Sequence, residues 1–225
     1  MSQATVESAE AGSARITQGG LAIAAAVLLG LAATLTAWSA YRGSLTSDLV
    51  LKNYSEQQVI LTTVNDYFGR ADQQEALETS LFLEWAVATA TGSTEAADYL
   101  ATVMGPELYS AVEWWGQQSE ETAPATPFSE DNPFYAELPS RVLIAQGESF
   151  YVEADALRLA AEEADANSDR FDLANVFFAV VLFIAGLTTI VQRRSIQYGF
   201  LALSVAGLLA GIVVLVTTPG WAVIG

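Results

Sequence analysis

The run LANVFFAVVLFIAGLTTIV (173–191), the four residues Gln192-Arg193-Arg194-Ser195 and the run IQYGFLALSVAGLLAGIVVLVT (196–217) decide how this chain folds. Both runs are free of charge and close to the roughly 20 residues that carry a helix across about 30 Å of hydrocarbon. So short a connection makes them an antiparallel helical hairpin, with a span over 171–192, a turn over 193–195 and a span over 196–217. Arg193 and Arg194 occupy the turn. Short loops bearing Arg stay cytoplasmic, so the turn is expected inside and the tail 218–225 outside.

A third charge-free run lies at 19–39. It is long for a signal peptide, and Trp38-Ser39-Ala40 lacks a small residue at the first position of a cleavage site, so it reads as an uncleaved anchor. Three spans require an amino terminus on the inside. Arg15 before the first span agrees with this, and Arg42 after it does not. The stretch 1–18 is small, polar and without periodicity; it cannot bury enough surface to offset its ordering entropy, which predicts a disordered cytoplasmic tail.

The 225 residues carry 26 acids and nine bases, a net charge of −17. Residues 40–170 hold 23 of those acids and six of the bases, so the whole net charge sits in this one segment. An acidic surface repels phosphate backbones, which argues against a nucleic-acid partner. Absence of Cys and His removes disulfides, thiolate or imidazole zinc sites and the usual general base of neutral pH. No GxSxG, SxxK, P-loop or dinucleotide fingerprint is present. The acid pairs Glu120-Glu121 and Glu130-Asp131 match no spaced calcium loop and read as solvated surface. The expectation is a non-enzyme with no catalytic residue, cofactor or metal site.

Within 40–170 the periodicity is helical. Val50, Tyr54, Leu61, Val64 and Phe68 recur in steps of three and four once Gln57 is counted, while Leu143, Phe150, Leu157 and Ala164 fall every seven residues, with Ala154 and Ala161 between them. Two long helices could zip as an antiparallel, coiled-coil-like stalk. Leu77, Leu81, Phe82, Trp85 and Ala88 outline a further amphipathic helix, ended by Gly92 as a left-handed cap. Ser93 or Thr94 starts the next helix, with Glu95 in its first turn, and Pro106 opens a last short one closed by Gly116. Four prolines between 117 and 139 predict an extended surface loop. Asn53-Tyr54-Ser55 is a glycosylation sequon, placed by the periodicity on a helix.

Three groups of residues are candidates for function. Gly207 and Gly211, preceded by Ser204, and Ala22, Ala26 and Gly30 present small faces that let membrane helices approach closely, either within the chain or between copies. Asn175, Thr188, Thr189 and Ser204 are polar groups within the second and third spans, suited to bonding between helices or, in an assembly of several copies, to lining a pore. Phe128, Phe134 and Tyr135 are costly in a solvated loop; they either tuck it onto the helices or form a docking surface for a partner. Trp38, Tyr41 and Tyr198 fit interfacial aromatic belts.

Trp38-x-x-Tyr41, Phe82-Leu83-x-Trp85, Thr126-Pro127-Phe128 with Tyr135, Ala166-Asn167 with Asp169, Phe171 and Leu173, and Val181-Leu182-Phe183 with Ala185-Gly186 carry a resemblance along most of the chain. It resembles a family of functionally uncharacterised prokaryotic three-pass membrane proteins. The resemblance implies one amino-terminal span, a helical middle region and a carboxy-terminal hairpin; it transfers no activity and no site residue.

The fold expected is therefore all-α: an integral membrane protein with three transmembrane helices and a helical extracytoplasmic domain at 40–170, held in the plasma membrane. The function expected is that of a scaffold or accessory subunit, partnered by the bilayer and by copies of itself or other membrane-protein subunits. A homo-oligomeric cation channel with an acidic vestibule is the alternative.

Overall fold

The computed structural model describes residues 20–119, 121–191 and 193–222. The tail expected to be disordered, 1–18, lies outside them. Among the described residues every regular element is a helix: α1 (Gln3–Ala90), α2 (Thr94–Val103), α3 (Pro106–Gly116), a 3₁₀ turn (Tyr135–Glu137), α4 (Pro139–Ile190) and α5 (Arg194–Thr217). Three of them, α1, α4 and α5, are long and apolar enough to cross a membrane. At 1.5 Å per residue the 24 residues of α5 reach about 36 Å, which exceeds the hydrocarbon thickness.

The helix expected over 77–88 is not a separate element. It continues α1 without interruption, because no proline occurs before Pro106 and the isolated Gly43 and Gly69 are not enough to stop a helix. What does end it is Gly92, at φ +71°. The Ser93 amide donates to the Ala88 carbonyl and the Gly92 amide to that of Thr89, so two orphan carbonyls of the last turn are satisfied around the left-handed residue.

Two compact units divide the chain. The first combines Met1–Asn53 with Leu159–Gly225. Its interior is a three-helix seam of Ala32, Phe171, Ala174, Phe178, Val181, Leu208 and Leu215. Buried positions on α4 alternate in steps of three and four from Phe171 to Thr188, and on α5 from Ser204 to Leu215, the spacing of one helical face. The outer faces are equally apolar: Ile23, Val27, Phe183, Ile190, Leu209 and Val213 are all exposed. Contiguous apolar surface of this kind is what lipid solvates and water does not.

Since lipid tails are as apolar as Leu, these helices are held by close fit and by hydrogen bonds rather than by the hydrophobic effect. Gly211 receives the ring of Phe178, and a Cβ there would lie 2.5 Å from Phe178 Cε1. Gly207 meets Val181 in the same way at 3.0 Å. Buried Ser39 donates from Oγ to the Phe171 carbonyl at 2.8 Å, and the hydroxyls of Ser47 and Ser168 share a bond of 2.9 Å.

The second unit is Tyr54–Arg158, which lies inside the expected 40–170 boundaries. Here α1 and α4 run antiparallel, since Tyr67 stacks on Phe150 while Glu75, further along α1, pairs with Arg141, earlier on α4. Seven-residue steps separate the buried Val64, Ala71 and Glu78 on one helix and Ser140, Gly147 and Ala154 on the other. Gly147 is small because Phe68 leans on it; a Cβ would stand 2.7 Å from that ring. A second core joins Phe82, Met104, Leu108, Ala111, Val112 and Leu138. Burial of each large side chain in it is worth about 1.5–3 kcal/mol.

The proline-rich segment is not extended. It is a folded loop whose Pro127, Asn132 and Leu138 are buried. Asn132 organises it: the amide nitrogen donates to the carbonyls of Ala111 and Pro127, and its oxygen accepts from the Phe134 amide. Trp115 adds an indole bond to the Pro124 carbonyl at 2.7 Å. Prolines forbid helix here, but side chains supply the missing donors.

Candidate functional site

The helices of the second unit bring together one buried acid and one uncovered apolar face. Glu78 is 1% exposed and receives the Ser140 amide at 3.0 Å, the Ser140 hydroxyl at 2.6 Å and the Gln74 side-chain amide at 3.2 Å. Ser140 follows Pro139 in the first turn of α4, so a carboxylate from α1 closes the electropositive start of α4. Beside it Arg141 bonds Glu75 at 3.0 Å and lies over the Tyr135 ring at 4.7 Å. Both carboxylate oxygens of Glu78 are engaged in holding α4 to α1, and Arg141 bonds through Nη2 while its Nε is buried without a partner.

On another side of the unit, α2 packs with no residue fully buried. Apolar positions of this short helix fall at Ala96, Tyr99, Leu100 and Val103, one face at helical spacing, and Tyr99 and Val103 remain exposed. Between that face and the last turns of α1 runs an open groove of about 460 Å³, walled by Leu83, Val87 and Ala88 on α1 and by Ala96 and Leu100 on α2, with Glu84, Thr91 and Ser93 also along it. Leu83 is 56% and Val87 63% exposed.

The rings read either as tucking the loop onto the helices or as a docking surface lie outside this groove and take the first arrangement. Phe128 meets Phe82 edge-on at 5.8 Å, and Phe134 and Tyr135 pack against the same core, so all three fasten the loop and are half-buried. Their aromatic character fits that role, because a loop built on prolines has few backbone bonds to hold it.

Within the first unit the small residues separate into two sets. Ser204 and Gly211 are buried and Gly207 half-buried against α4. Ala22, Ala26 and Gly30 face outward; Ala25 and Ala32 are the residues of α1 that pack inside, and nothing lies within 4 Å of a Cβ on Gly30. Of the polar groups of the spans, Thr188 and Ser204 turn into the bundle of a single chain, Thr188 donating to the Ala185 carbonyl. Thr189 is exposed and Asn175 half-buried. A cavity of about 150 Å³, room for several waters, is lined by Leu21, Ala22 and Ala25 of α1, Thr188 and Thr189 of α4, and Gln197 and Leu201 of α5, so Ala22 borders it although exposed. Arg193 and Arg194 are exposed at the hairpin turn. Arg42, whose charge runs against the expected orientation, donates from Nη2 to the Gly220 carbonyl at 2.6 Å, just past the end of α5 where carbonyls lack partners. Trp38 makes a parallel bond to the Trp221 carbonyl.

Residues 143–217, most of α4 and all of α5, match a family described as a domain of unknown function, DUF4337. That is consistent with the uncharacterised family the sequence resembles. No curated protein and no solved structure gives a significant match.

Proposed function

We propose that this chain is a non-enzymatic, membrane-anchored accessory subunit or scaffold, whose helical unit at 54–158 docks another protein. The observation that carries the reading is the uncovered apolar groove between α1 and α2, formed around a short helix that buries none of its residues completely. A unit that spends Glu78, Asn132 and Trp115 on fixing its helices and loop offers a rigid platform, and rigid apolar surface lowers the ordering cost of association. Arg193 and Arg194 support an arrangement in the plasma membrane with the hairpin turn in the cytoplasm and the acidic unit outside. The outward face of Ala22, Ala26 and Gly30 supplies a place for contacts between membrane helices.

Cross-linking in native membranes, then purification in mild detergent and native mass spectrometry, tests the proposal. A companion protein in fixed ratio, lost when the groove is altered, is the expected result. A lone monomer would overturn it, and a closed ring of copies that conducts cations in liposomes would replace it with a channel. Reporter tags at Glu107 read the orientation independently, and a cytosolic signal there would reverse it.

A further inference from the structure

The groove itself constrains what fills it. Its walls are two helices, each presenting side chains four residues apart, Leu83 and Val87 on one and Ala96 and Leu100 on the other. Rows at that spacing form ridges that take the ridge of a third helix between them.

Charge narrows the choice further. The unit at 54–158 has 18 acids and three bases, a net of −15. Glu84 lines the groove, and the concavities that continue it, sharing Leu83 and Ala96 with it, carry Asp72 on one side and Glu95 on the other, while Glu75 beside Asp72 is already paired with Arg141. None of the three bases of the unit lines these surfaces: Arg141 is held by Glu75, Arg158 by Asp155, and Arg70 lies near Asp66 on the same helix. A second copy would set two units of −15 rim to rim, and an anionic lipid surface would be repelled in the same way.

We infer that the groove between α1 and α2 receives a single amphipathic helix of a different protein, apolar along one face and flanked by Lys or Arg. The inference rests on the docking reading and specifies its partner. The apolar seam supplies affinity; the acid rim speeds encounter and selects against acidic helices, this chain's own included.

The test uses the full chain in zwitterionic nanodiscs and a designed fluorescent peptide with Leu at i, i+3, i+4 and i+7 and Lys on the flanks. Binding is expected to weaken with salt, to fall about tenfold or more when the flanks are changed to Glu, and to fall about tenfold in the double variant Leu83→Ser/Val87→Ser. Both positions are more than half exposed, so the variant keeps its fold, which circular dichroism verifies. Equal binding to wild type and variant would show attraction to bulk charge and overturn the proposal. No binding of the Lys peptide would also overturn it. Dimerisation of the chain that the double variant abolishes would assign the groove to a second copy, and anionic vesicles captured only by the wild type would assign it to lipid. If the companion found in native membranes persists in the double variant, the groove is refuted while the docking reading stands.

Discussion

Replacing Glu78 by Ala removes the acceptor that closes the start of α4. Ser140 is 1% exposed, so neither its amide nor its hydroxyl gains water when the carboxylate goes. Hydrogen bonds to charged groups contribute about 1.5–3 kcal/mol each, and a buried donor left alone costs about 1–3 kcal/mol. Two such donors share one acceptor here, so their losses overlap, and the expected destabilisation is about 3–4 kcal/mol. Glu78→Gln keeps one carbonyl oxygen for the Ser140 amide, loses the charge at the helix start and is expected to cost about 1 kcal/mol. Urea titration of the full chain in mild detergent, followed by the fluorescence of Trp85, Trp114 and Trp115, reads the 54–158 unit while the spans stay in the micelle. The midpoint should fall with the slope unchanged. In a double-mutant cycle Ser140→Ala should cost less when combined with Glu78→Ala than in the wild type, a coupling of about 1–2 kcal/mol. A loss below about 1 kcal/mol for Glu78→Ala, or no coupling to Ser140, would refute the idea that this acid caps α4.

Gly211→Ala places a Cβ against the Phe178 ring and is expected to destabilise the helix bundle by about 1–3 kcal/mol in detergent melts, whereas Gly30→Ala, with open space around it, should shift the same melt by under about 0.5 kcal/mol. Gly92→Ala forces a left-handed conformation on a residue with a Cβ and should cost about 1–2 kcal/mol, seen as faster amide exchange over 88–93. Asn132→Ala withdraws three hydrogen bonds from the loop that follows α3; protease cleavage within 121–138 should become rapid while cleavage elsewhere stays slow.

Much of the architecture could be read from the residues because the physics behind it is local. Charge-free runs of membrane length, Arg193-Arg194 between two of them, Gly92 after a helical stripe and Pro106 at a helix start each act within a turn or two. The continuity of α1 was harder to read, since nothing announces a helix that simply fails to end. Phase was the second difficulty: Leu77 reads as part of the apolar face and is 52% exposed, while its neighbour Glu78, an acid outside that pattern, is buried. Its partner, Ser140, stands 62 residues away, and no periodicity links an acid to a helix start at that distance. In the first span nearly every residue is small or apolar, so the pattern has no contrast with which to choose Ala25 and Ala32 over Ala22 and Ala26. The groove escaped for a related reason: its walls come from two helices, and exposure depends on what is missing opposite them.

Glu78 and Ser140 also set a schedule for biosynthesis. At about 5–20 residues per second, Ser140 is made about 3–12 s after Glu78. During that interval the carboxylate has no α4 to meet, and Phe82 beside it lacks Phe128 and Leu138, the loop residues that complete its core. A nascent chain therefore shows this stretch to whatever surrounds it before it folds, and slowing elongation between 90 and 140 would prolong the risk of capture by the wrong neighbour.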